Sequence, residues 1–220
     1  MLTSVRNWRS MRVREVGEIR YLAVAVLVVL AYGVFLLTCG RACAHHSTAA
    51  ARNDGLSIPT LTHGQMLVVA RHFAAIRAIA DTVVLDDLPF RKLNNYISLQ
   101  YVACLWGVIP GSVSDEDSPF NECSHGYLSA AQSLLLHMRS MKGVGKAADQ
   151  LYDALAVEML MSNSAAILCR YSDEPFNTAD VESPHWEDIP HHTPSLIALL
   201  SVILSLSGLT YCVFLLLRSP

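Results

Sequence analysis

Two long, predominantly apolar stretches of this 220-residue sequence, 21–40 and 195–217, carry no charged residue. About 20 apolar residues let a helix cross ~30 Å of hydrocarbon, so these runs exclude a wholly water-soluble reading. Other absences narrow the function. No G-x-x-x-x-G-K-[ST] or G-x-G-x-x-G occurs, so a nucleotide site has no support. There is no H-E-x-x-H, C-x-x-C or G-x-S-x-G, which leaves zinc-peptidase, thioredoxin-like and serine-hydrolase chemistry unsupported. No large excess of positive charge is present, so nucleic acid is not an expected partner. Asn-x-Ser/Thr sequons are missing, which favours a bacterial or organellar membrane over a glycosylated surface. Alternating strand patterns are almost absent. These gaps lead us to expect neither an enzyme nor a cofactor.

The charges that are present divide unevenly. Residues 1–20 hold five Arg against Glu15 and Glu18, a net +3. Residues 41–194 hold ten basic and seventeen acidic residues, a net −7. Positive charge beside a membrane segment tends to stay in the cytoplasm. The expected topology is therefore a basic cytoplasmic arm (1–20), a first transmembrane helix (21–39), an outer acidic region, a second transmembrane helix (195–217), and a cytoplasmic tail (218–220). Both termini then lie inside a cell membrane. A second reading stays open. Ala42 and Ala44 make an A-x-A pattern typical of signal-peptide cleavage. Cleavage there would leave a single-pass type I protein beginning at His45.

Between the two runs the pattern is helical. Residues 45–61 read as a linker. Thr62 and Gln65 fit a capping box, flanked by Leu61 and Met66 at staple positions. Val69, Phe73, Ile76, Ala80 and Val83 follow at steps of three and four, a helical stripe. The Asp86-Asp87-Leu88-Pro89 segment is expected to end this first helix, because proline pushes its predecessor out of the α region. A second helix is expected over 90–106, with Leu93, Ile97, Tyr101 and Cys104 as its stripe. Residues 107–125 read as loop. A third helix is expected over 126–142, with Tyr127, Ala131, Leu134, Leu135 and Met138. A fourth, over 146–170, carries Ala147, Leu151, Leu155, Met159 and Leu160. Residues 171–194, acidic and with four Pro, read as a tether to the membrane. The expected fold is an all-α membrane protein, two transmembrane helices flanking a four-helix-bundle-like extracytoplasmic domain at 62–170.

Three groups of residues invite chemistry or contact. Cys104, Cys123 and Cys169 are the candidates for a disulfide in an oxidising compartment, with Cys123 stapling the long loop to Cys104 or Cys169. His45-His46 and His191-His192 flank the two apolar runs, where imidazoles could bind Zn²⁺ or Cu²⁺ or sense pH. Adjacent side chains point apart in an extended chain, which works against chelation by either pair alone. Ser201, Ser205 and Gly208 form a small-residue face on the second run, suited to close packing of membrane helices or to homo-oligomers. The expected function is binding. The outer domain would engage other membrane or envelope proteins, as component or regulator of an assembly of the secretion, conjugation or surface-exclusion type. A surface receptor or adhesin, and a metal or pH sensor built on the paired histidines, are the alternatives.

Overall fold

The computed structural model describes residues 55–172 and 174–218, excluding the side chains of 213 and 215–218. The chain divides into two units, Met1–Ala51 and Arg52–Pro220, and all described residues belong to the second. The basic arm, the first apolar run, Ala42, Ala44, His45 and His46 lie outside the described residues.

Helix α1 spans His63–Ala80. Its start is set by the capping box: the Gln65 amide donates to Thr62 Oγ1 at 3.2 Å, and the Thr62 amide donates to Gln65 Oε1 at 3.0 Å. The helix stops at Ala80, short of the Asp-Asp-Leu-Pro segment. That segment instead starts helix α2, Leu88–Ala103. The Phe90 amide donates to Asp87 Oδ1 at 2.9 Å, and Pro89 occupies the first turn, where a missing N–H costs nothing. A proline that was expected to end one helix opens the next.

Helix α3 spans Asn121–Met138 and begins five residues before the expected position. Residues 123–131 are buried without interruption, so no outward face exists in this half. Small side chains make this possible. A Cβ on Gly126 would stand 3.0 Å from the Tyr96 hydroxyl and 3.4 Å from Gln100 Cγ, so α2 crosses closely there. Helices α1, α2 and α4 (Gly145–Met161) all pack against α3. On α4 the inward side consists of Ala148 and Leu155, buried, with Leu151, Tyr152 and Met159 packed against the core. Ala147 and Leu160, expected in the stripe, are exposed. Leu160 lies five residues past Leu155, roughly 140° around the helix.

The described parts of both segments expected to be linkers, 55–61 and 171–194 apart from 173, belong to the domain. Strand β1 (Ser57–Ile58) pairs antiparallel with β2 (Phe176–Asn177), Ser57 opposite Asn177 and Ile58 opposite Phe176. Ile58, Leu61, Phe176 and Ile189 are buried. The 171–194 segment is thus not a free tether. Gln100 donates to the Glu182 carbonyl at 2.8 Å, the Glu182 amide donates to Gln100 Oε1 at 2.9 Å, and the His185 amide donates to the Pro119 carbonyl at 3.0 Å. These bonds answer the segment's lack of period: side-chain and loop partners satisfy its backbone where a helix ladder does not. The described fold is mostly helical with almost no strand, consistent with an all-α class.

Helix α5 runs from Thr193 to Arg218. Its stretch Thr193–Cys212 is long and apolar enough to cross a membrane and is almost wholly uncovered. It is the only such helix among the described residues. Its first turn docks on the domain: Ser195 is buried, and Leu196, Ala198 and Leu199 pack against the core. His192 holds this seat, with Nε2 3.0 Å from Asp115 Oδ2 and Nδ1 2.7 Å from Ser195 Oγ. The hydrogen bond from His192 is the main reason the Asp115 carboxyl stays below its usual range.

The entry of α1 is knitted to the segment after α4. Thr62 Oγ1 donates to the Ser164 carbonyl at 2.8 Å and the Gly64 amide donates to the Ile167 carbonyl at 3.0 Å. A Cβ on Gly64 would stand 2.4 Å from the Ser164 carbonyl oxygen, a backbone atom that cannot swing aside. Gly64→Ala is expected to destabilise by about 1–3 kcal/mol through overpacking. Thermal melting of the full chain in detergent checks this, and a melting temperature equal to wild type would contradict the contact.

Candidate functional site

The close approach at Gly64 brings three side chains together. His63 is the first residue of α1, His125 lies in the first turns of α3, and Cys169 follows a short 3-10 turn at Ser164–Ala166. One ligand atom from each lies within 4.8 Å of the other two. His125 Nε2 is 3.2 Å from Cys169 Sγ. The His63 and His125 rings are 6.0 Å apart, centroid to centroid. His63 is 3% exposed and His125 is fully buried, while Cys169 is half-buried. Each imidazole keeps a buried Nδ1 with no hydrogen-bond partner among the described residues. Burial first, and His63 second, push His125 down to about 4, so its ring is neutral at physiological pH.

Ser172 organises this cluster. Its hydroxyl oxygen accepts from the Cys169 amide at 2.7 Å and from the His63 amide at 3.2 Å. The same hydroxyl lies 3.5 Å from Cys169 Sγ. One buried serine therefore fixes the backbones of two members and faces the sulfur of one. Among the described residues no third group orients the His125 imidazole at its Nδ1, while its Nε2 faces the Cys169 sulfur.

A second polar cluster lies beside it. Glu122, Arg170, Tyr171, Glu174 and His185 line a surface cavity. Glu122 contacts His185, and the Tyr171 ring stacks on His185 at 6.4 Å and meets His125 at 6.3 Å. Four acidic groups gather here with few cations. Burial, then Glu122, Glu174 and Asp180, raise the Glu182 carboxyl above its usual range. Burial, then Glu122, raises Glu174 likewise.

The residues singled out from sequence are distributed as follows. Cys104 and Cys123 stand at disulfide distance, with Cα atoms 5.9 Å apart, and Cys169 stays free. Cys123 is on α3 rather than in the loop, so the bridge joins the end of α2 to the start of α3. His191 is exposed, and His192 is engaged by Asp115 and Ser195. Ser201 and Ser205 are exposed and donate back to the carbonyls of Ile197 and Ser201 in their own helix, and a Cβ on Gly208 would meet nothing. No family model, curated protein or solved structure matches the chain. His63 and His125 were not distinguishable by spacing from the other histidines. The available signal was position: one directly after a helix cap, the other inside a long uncharged run on α3.

The acidic cluster makes stability pH-dependent. Glu182 has a folded-state pKa above its ordinary 4.5, so the folded state binds more protons than the unfolded state. Stability from this group is present below about 4.5 and is lost as pH rises through the raised value. Glu182→Gln is expected to raise the melting temperature at pH 7 by a few degrees, roughly 1 kcal/mol, with the gain vanishing near pH 4. A gain that is constant with pH, or a loss at pH 7, would exclude this origin.

Proposed function

We propose that the chain is a non-enzymatic integral membrane protein whose helical domain lies outside the cytoplasm. There it binds a protein partner, as component or regulator of a membrane or envelope assembly. The observation carrying this reading is the outward face of α4. Leu160 and Met161, adjacent on the last turn of α4, are 81% and 84% exposed. Val157, one turn earlier, and Ile167 and Leu168, just after the helix, are also exposed. Contiguous apolar patches on folded domains mark interaction surfaces. Membrane anchorage is supported by α5, and the outward placement of the domain by the contrast between the +3 arm and the −7 region. In this reading residues 21–39 form the first span and both termini are cytoplasmic. The docked first turn of α5 would hold the α4 face at a fixed height above the bilayer.

Photocrosslinking from position 160 in native membranes tests the binding surface. A discrete heteromeric adduct is expected, and with the crosslinker moved to position 157 the L160E/M161E substitution on the same face should reduce it several-fold. Adducts from positions 201, 205 or 208 alone, at twice the chain mass, would replace it with a homo-oligomer through the membrane helix. Intact mass of the extracted protein tests the topology. A mass near 24.1 kDa is expected for two spans, whereas loss of residues 1–44 would make the protein single-pass.

A further inference from the structure

We infer that His63, His125 and Cys169 form a binding site for one borderline-soft divalent metal ion, zinc by preference. The donor set is two imidazole nitrogens and one thiolate, the combination that suits zinc. Tetrahedral zinc at Zn–N of about 2.0–2.1 Å and Zn–S of about 2.3 Å holds its ligand atoms roughly 3.3–3.6 Å apart. The three donors here lie within 4.8 Å of one another, and the His125 Nε2 to Cys169 Sγ separation is already 3.2 Å. Small side-chain rotations close the set on an ion.

Three further observations point to a ligand. His63 and His125 are buried, and each keeps an Nδ1 with no hydrogen-bond partner among the described residues, so polar atoms without a protein partner sit inside the cluster. A metal would take one nitrogen from each ring, and on His125 that atom is Nε2, the one that faces Cys169 Sγ, rather than the unpartnered Nδ1. Ser172 links the backbones of His63 and Cys169 and faces the sulfur, the kind of outer contact that orients metal ligands. Finally, of Cys104, Cys123 and Cys169, Cys169 is the one left free when the other two pair. A half-buried free thiol is a liability in an oxidising compartment unless it is committed to a metal.

The ligands come from three separate elements: the N-terminus of α1, the core helix α3, and the segment after α4. An ion would therefore staple these elements directly. Three protein donors leave a fourth position on the half-exposed side of Cys169, open to water or to a partner's side chain. The site differs from the juxtamembrane pairs His45-His46 and His191-His192, because its histidines are buried and its third donor is sulfur.

Titration of the full chain in detergent with Co²⁺ under anaerobic conditions tests the site. One equivalent should bind with a thiolate-to-cobalt charge-transfer band and visible bands of a tetrahedral ion, all displaced by Zn²⁺. Cys169→Ser should abolish the charge-transfer band. Ser172→Ala, a positioning change, should keep the band and weaken affinity by roughly 10–100-fold. The triple variant H45A/H46A/H191A should bind as wild type does; His192 is kept because it holds Asp115. No charge-transfer band in the wild type, its survival in Cys169→Ser, or its loss in the triple variant would each overturn the proposal. Should Cys169→Ser fail to fold, zinc-edge X-ray absorption of the wild type decides. One sulfur and two or more nitrogen scatterers uphold the site, and a shell of nitrogen and oxygen alone overturns it.

Discussion

The burial of α3 on all sides is the constraint from which the rest of the domain follows. A helix normally keeps one face in water and needs only a stripe of apolar residues. Over 123–131 this helix has no such face. Its side chains there are mostly small, and three other helices close around it. Each buried Leu of this helix, at 128, 134 and 135, contributes about 1.5–3 kcal/mol by leaving water. The small residues contribute little area. They stabilise indirectly, by letting α2 approach near Gly126 and by leaving room for aromatic packing among Phe73, Tyr101 and Tyr127, whose rings meet at 5.1–5.2 Å.

The same constraint explains the polar cluster. A helix without a wet face must settle its polar side chains inside the protein. His125 is fully buried on α3, and its surroundings answer it with a sulfur and a second imidazole rather than a carboxylate. Where carboxylates meet histidines in this domain, they do so nearer the surface: Glu158 with His72, Asp87 with His137, Asp115 with His192. These pairs sit across joins between elements and contribute modestly, as partly exposed ion pairs do. The deep cluster is different in kind, since no charge there balances another.

Much of the fold was legible from local chemistry. The Thr62–Gln65 capping box placed the start of α1, and the uncharged run at 195–217 announced α5. Other signals were ambiguous for physical reasons. Asp87-Leu88-Pro89 carries both a helix stop and a helix start, and only the Asp87 side chain bonding to the Phe90 amide decides between them. The 171–194 segment has prolines and acids but no period, so nothing local revealed that Phe176 and Ile189 are buried or that Gln100 binds Glu182. The candidate site was the least legible part. His63, His125 and Cys169 are far apart in sequence, and no short spacing relates them. Their meeting depends on Gly64 admitting the Ser164 backbone, a contact between residues 100 positions apart.

The link between Cys104 and Cys123, 19 residues apart, turns the intervening chain into a closed ring. Asp115, which seats His192 and the first turn of α5, is a member of that ring. An open loop would yield when pulled, lengthening before it passed any load onward. A ring fastened to the ends of two core helices can lengthen less than an open loop of the same residues. The seat of α5 therefore rests on a segment tied at both ends to α2 and α3, rather than on a free surface loop.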